Sequence, residues 1–114
     1  MQQIVDLEND HSFQNLNVAL LSIALDSPAE LQQAGQQAGV SKTPLLTDPG
    51  GQVSKAYDVL KWALPSGEPG HTFILVDKDG KIAWIKDYGS PDNPNRTMYV
   101  PVSELVQAIQ SNLK

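Results

Sequence analysis

The run Asn17 to Leu25, NVALLSIAL, is apolar at positions of both parities, so neither face of a strand built from it is suited to water. A strand of that kind normally lies in a parallel sheet with helices over both faces. The run therefore points to an α/β chain with this strand inside the sheet. Immediately after it, Ser27-Pro28-Ala29-Glu30 supplies an N-cap, a proline at the first helical position and a glutamate three residues past the cap. That is a complete capping box, and the helix it opens is expected to run to about Ala38 and stop at Gly39.

Further along, TPLLTDPGG (43 to 51) reads as a short extended piece and a turn, after which Val53, Ala56 and Tyr57 share one face of a second helix ending near Leu60. Residues 65 to 71, PSGEPGH, form a loop into a well-specified hairpin. In it Phe73, Ile74, Leu75 and Val76 are a β-favouring run, Asp77-Lys78-Asp79-Gly80 supplies turn chemistry, and Lys81-Ile82-Ala83-Trp84-Ile85 resumes the strand. Gly80 is expected to take the positive φ that closes the turn. The Asp-x-Asp-Gly string falls short of a calcium loop, because the bidentate glutamate needed six residues after the glycine is replaced by Lys86. Residues 89 to 101 form a second loop rich in Pro, Asn and Gly. The final element is an amphipathic helix with Val102, Leu105, Val106, Ile109 and Leu113 along one side.

Met1, Ile4 and Val5 have helical spacing with Leu7 beside them, yet this helix would begin at the first residue without a cap or a strand leading into it. A strand apolar on both faces also needs neighbours on both edges, and the chain offers only the two hairpin strands and the short piece at 44 to 46. A strand is therefore expected upstream of Met1.

Composition narrows the function classes. A chain of 114 residues suggests a single domain, 1 to 114, with one modest core, and 40% hydrophobic with 18% charged residues is an ordinary globular balance. Net charge is −5 and the eight Lys and Arg are scattered, which argues against a nucleic-acid partner. No stretch approaches the ~20 apolar residues of a membrane span, and MQQIVDLEND lacks the features of a signal peptide. As written, a cytoplasmic location and no membrane partner are expected. The chain has no cysteine, which removes disulfides, thiolate chemistry and most structural zinc sites. No cofactor and no metal site are expected. The Asn95-Arg96-Thr97 acceptor pattern is too short to indicate glycosylation on its own.

In order, these elements are helix, strand, helix, helix, hairpin, helix. The segments VALLSIALDSPAE (18 to 30), PLLTDPGGQVSKAYDV (44 to 59), HTFILVDKDGKI (71 to 82) and VPVSELVQAI (100 to 109) together resemble the alkyl hydroperoxide reductase/thiol-specific antioxidant family, the peroxiredoxin-like redoxin branch of the thioredoxin-like fold. The resemblance implies an incomplete thioredoxin-like three-layer α/β/α architecture. Its central mixed sheet of about three strands would be flanked by helices and would lack the first active-site strand. In that family a cysteine sits at the N-terminus of the first core helix, where the helix dipole stabilises the thiolate. Here that motif would lie upstream of Met1, so no catalytic cysteine can be assigned. The family's use of a thiol reductant and a hydroperoxide or disulfide substrate is implied in the same way. The loop before the hairpin, where thioredoxins place a cis-proline and peroxiredoxins an arginine, corresponds to Pro69, Gly70, His71 and Thr72, with Gly70 at the landmark position. The resemblance implies that these four residues are the remnant of the active-site loop.

Among the other residues, His71 suits acid and base work near neutral pH, but a hydrogen-bonded histidine at a strand start is the plainer reading. Asp10-His11-Ser12 contains triad letters, but adjacent residues do not reach the relay geometry, and the segment reads as a helix-ending loop. His11 and His71 have no metal-ligand spacing. Asp48-Pro49-Gly50-Gly51 has the glycines of an anion-binding turn without the Lys-Ser/Thr ending of a phosphate loop. Trp62 and Trp84 read as packing residues.

Three functional expectations follow. The first is a redoxin domain truncated before its redox motif and inactive by itself. The second is an interaction module, a homo-oligomer formed by strand exchange or as an intertwined dimer, using the edge left by the missing strand. Direct pairing of the strand at 17 to 25 with the one at 72 to 77 would close that gap and give a monomer instead. The third is a cysteine-independent enzyme using His71 with a carboxylate.

Overall fold

A capping box opens the longest helix of the N-terminal half as the sequence predicts: Ser27 Oγ accepts from Glu30 N at 3.2 Å and Glu30 Oε1 accepts from Ser27 N at 3.1 Å. In the computed structural model, which describes residues 1–113, this helix is α3, Pro28–Ala38. It ends at Gly39, whose φ of 88° is the left-handed conformation that lets its N–H turn back to the Gly35 carbonyl. The chain divides into two compact units, Met1–Asp58 and Val59–Lys114.

In the first unit, α1 (Gln2–Glu8) begins at Met1 with no side-chain cap, as expected. A short α2 (His11–Gln14) follows. The segment Asp10-His11-Ser12, read from sequence as a helix-ending loop, instead starts this helix: Asp10 is its N-cap and accepts from Phe13 N at 2.8 Å. The apolar run at 17 to 25 enters a ladder only as β1, Ser22–Ala24. Upstream of it Asn17 turns the chain at φ 56°. β1 pairs in parallel with β2 (Leu45–Thr47), matching Ser22 with Leu45, Ile23 with Leu46 and Ala24 with Thr47. Helix α3 makes the crossover, and Gly35 lets it approach β2 closely, since a Cβ there would lie 2.5 Å from Leu45 Cδ1.

The expected cover on both faces of β1 is not found, because Leu21, Ile23 and Leu46 are 56, 42 and 43% exposed. After the turn at Pro49–Gly51, α4 spans only Gln52–Ala56. Its expected apolar face is also exposed, at Val53 and Tyr57, while Ser54 is the buried position. Asp58, at φ 59°, ends the segment well short of a continuous helix to Leu60.

The second unit starts with a single turn at Leu60–Trp62 and is built on the hairpin of β3 (Thr72–Val76) and β4 (Ile82–Asp87). The antiparallel register runs from Thr72 opposite Asp87 to Val76 opposite Ile82, with an irregularity between Leu75 and Val76. Asp77 Oδ1 accepts from both Asp79 N and Lys81 N at 2.9 Å, and Gly80 takes φ 80°. The carboxylate is thus engaged in turn chemistry. Helix α5 (Val102–Asn112) buries Leu105, Val106 and Ile109, as its spacing predicts.

Among the described residues four strands form two ladders of two, where the sequence suggests about three strands in one mixed sheet. The difference comes from strand length: β1 and β2 are three residues each, and β1 has β2 as its ladder partner among the described residues. Among those residues no helix is long and apolar enough to cross a membrane.

Candidate functional site

The loop singled out by sequence, Pro69 to Thr72, lies at the mouth of the hairpin in the second unit, and all four residues are half-buried. Two glycines set how tightly that mouth closes. A Cβ on Gly70 would lie 3.0 Å from the Trp62 carbonyl oxygen, and a Cβ on Gly89 would meet His71 N at 2.6 Å and Met98 Sδ at 2.9 Å. The His71 carbonyl accepts from Tyr88 N at 2.8 Å, extending the hairpin by one pair beyond β3 and β4.

Asp87 organises the polar side of the mouth. Its Oδ1 accepts from Thr72 Oγ1 at 2.9 Å, and its Oδ2 accepts from Ser90 N at 2.9 Å. Arg96 Nε donates to the Gly89 carbonyl at 2.9 Å and fastens the 89 to 101 loop onto the same corner. The aromatic side is a short relay of edge-to-face contacts, His71 on Phe73 at 4.9 Å and Phe73 on Tyr88 at 5.8 Å. Burial lowers the His71 pKa below its ordinary value, and the opposing charge of Asp87 offsets part of that shift. The imidazole is therefore neutral at pH 7. Tyr88 is buried and hydrogen-bonds Glu104 on α5; burial first, then that bond and the glutamate charge, push its hydroxyl up to about 12. It is a fixed hydrogen-bonding group at neutral pH and no acid or base.

These features give the mouth structural rigidity, a neutral imidazole and a carboxylate already committed to three donors, Gly89 N at 3.4 Å being the third. Sulfur nucleophiles are absent from the sequence. Among the described residues no group of three His, Asp or Glu converges as a metal site. An open depression of about 260 Å³ lies next to the mouth, lined by Lys86, Tyr88, Asn93, Thr97 and Glu104. In the first unit, a depression of about 450 Å³ runs along α3 and β2. Trp62 and Trp84 are half-buried.

Two carboxylates outside the predicted loop, Asp48 and Glu8, are heavily hydrogen-bonded groups of the first unit. Asp48, 2% exposed, accepts from Val53 N, Ser54 N and Ser54 Oγ at 2.8–2.9 Å and so satisfies first-turn amides of α4, whose N-cap position is held by Gly51. These bonds, led by those from the Ser54 and Val53 amides, hold its carboxyl below the usual range. The Asp-Pro-Gly-Gly turn was visible in the sequence, and the amide-binding role of its aspartate follows from the helix start just after it. Glu8 is 5% exposed and accepts from the 41 to 43 segment. Burial alone would raise its pKa, but the hydrogen bonds from Thr43, Ser41 and Lys42 outweigh that effect and bring it down to about 2. A contact spanning 33 to 35 residues leaves no local pattern to find.

A sequence model described as the AhpC/TSA family matches residues 2–85. Among solved structures, the chain is similar to the mitochondrial 2-Cys peroxiredoxin from Plasmodium falciparum, with a TM-score of 0.68 and 23% identity. The match covers 96% of this chain and 64% of that one, so the chain spans a little under two-thirds of its length. At that identity the likeness is one of fold, and it shows the thioredoxin-like α/β architecture expected from the sequence. No curated protein matches the chain.

Proposed function

The chain belongs to the AhpC/TSA family, and from that premise we propose that it is a peroxiredoxin-like redoxin domain whose 114 residues reduce no peroxide by themselves. The observation that carries this reading is the absence of cysteine from the whole sequence. Thiol-dependent peroxide reduction requires a thiolate to attack the O–O bond and a sulfenic acid to be recycled by a second thiol. No hydroxyl, imidazole or carboxylate of the hairpin mouth replaces that redox cycle. In this reading Pro69, Gly70, His71 and Thr72 are the scaffold of a thiol site without its sulfur.

The test is an assay of the purified chain with hydrogen peroxide or an organic hydroperoxide and a dithiol donor. Turnover should equal the protein-free rate. Turnover that disappears in His71→Ala with the fold intact would overturn this reading and establish a cysteine-independent enzyme in its place.

A second reading is favoured by the apolar face of the β1–β2 ladder. Ile23 and Leu46 are register partners, both are more than two-fifths exposed, and Leu21 continues the patch. A short parallel pair with such a face suits association with a second copy, by strand exchange or as an intertwined dimer. Light scattering across the micromolar range should give a mass that rises above 12.4 kDa with concentration. A constant monomer mass would exclude this role.

A further inference from the structure

Glu8 is the last residue of α1, and its carboxylate enters a ring made entirely of donors. Oε1 accepts from Ser41 N at 2.8 Å and Ser41 Oγ at 3.2 Å. Oε2 accepts from Lys42 N at 3.1 Å, Thr43 N at 3.0 Å and Thr43 Oγ1 at 2.7 Å. Three successive backbone N–H groups converging on one point form an anion-binding concavity, and two hydroxyls complete it. The division of donors between the two oxygens matches the bidentate shape of a carboxylate.

The receptor comes from a different part of the chain than its ligand. Residues 41 to 43 connect α3 to β2, lying between the left-handed Gly39 and Pro44. Pro44 is tied into the parallel ladder through its carbonyl, which accepts from Ser22 N at 3.0 Å. The donor ring is thus built by the connection between α3 and β2, and α1 supplies none of its donors. Thr43 is 8% exposed, whereas Ser41 and Lys42 are exposed, so one side of the ring faces solvent.

We propose that the Ser41–Thr43 segment is a carboxylate-binding site in its own right, occupied in cis by Glu8, and that α1 is positioned as the bearer of that ligand. Two consequences follow. Charge and shape are both required of the ligand, because an amide would turn an NH₂ toward N–H donors. In addition, an external carboxylate fits the site once the Glu8 side chain is cut back. The atoms removed by Glu8→Ala are those of an acetate ion, which makes acetate the probe of choice.

The experiment is amide hydrogen exchange, resolved by residue, on the full chain. Glu8→Ala should accelerate exchange of the residue 41, 42 and 43 amides at least tenfold. Acetate at tens of millimolar should reverse most of that with a saturating dose response, whereas chloride at the same ionic strength should not. The isosteric Glu8→Gln, which keeps the volume of the side chain, should also open these amides at least fivefold. Identical exchange in acetate and chloride would overturn the proposal. So would native protection in Glu8→Gln, because it would show that packing of α1 alone orders the segment.

Discussion

Gly89→Ala should destabilise the protein by about 2–3 kcal/mol, roughly a 10 °C loss in Tm, measured by urea and thermal unfolding. The new methyl would stand 2.6 Å from His71 N and 2.9 Å from His71 Cβ, both fixed by the strand start, so the hairpin mouth itself has to spread. Gly35→Ala serves as the internal control. Its methyl would be crowded by Leu45 Cδ1, the end of a flexible side chain, at 2.5 Å, with its next neighbours at ordinary contact distances of 3.8 and 3.9 Å. It also gains up to about 1 kcal/mol of helix propensity inside α3. The two substitutions add the same atoms, so their difference isolates backbone crowding from side-chain crowding. A negligible loss in Gly89→Ala would mean that the corner at residues 70 to 72 and 87 to 90 has slack, contrary to its description as a rigid scaffold.

Acidification should remove the stabilisation that comes from Glu8. Its carboxyl titrates near 2 in the folded chain against an ordinary value of 4.5, so the unfolded chain binds the proton more readily. The contribution is therefore fully present above about pH 4.5 and is lost as pH falls toward 2. The full linkage is about 3 kcal/mol, and screening at a site with one wet side reduces it to about 2 kcal/mol. Asp48 and Glu30 are shifted in the same direction, so the native curve alone does not assign the loss. The difference between native and Glu8→Gln unfolding free energies at pH 6 and pH 2.5 does. It should shrink by about 2 kcal/mol at the lower pH, and a constant difference would contradict the assignment.

The elements read most clearly from sequence are those whose determinants are local. The capping box at Ser27 and Glu30, the Asp77 to Gly80 turn and the spacing of Leu105, Val106 and Ile109 each lie within a few residues and were found in place. The run at 17 to 25 misled in extent because hydrophobicity states a preference for burial without saying how much of the chain will meet a neighbour. Only Ser22–Ala24 finds a ladder partner, and Ile23 remains exposed. Asp10 was misread because an aspartate after a helical run suits either an ending or a new cap, and only the bond to Phe13 N decides between them. Around the Pro69 to Thr72 loop, the sequence pattern does not show the commitment of Asp87 to Thr72 and Ser90, fifteen and three residues away. Glu8 was illegible for the same reason on a larger scale, since its receptor is assembled only after α3 has returned the chain to β2.

The two ladders also differ in how readily the chain can close them. β3 and β4 are joined by 77 to 81, and β1 and β2 by 25 to 44. Going from about five to about twenty connecting residues is two doublings, or about 1.2 kcal/mol of extra closure entropy. The hairpin can therefore zip in microseconds while the parallel pair waits. Eleven of the intervening residues belong to α3, and a helix formed early turns most of a floppy tether into a rod. Ser27 and Glu30 then act on the clock as well as on the energy, because capping that rod early is what brings β1 and β2 within reach of each other.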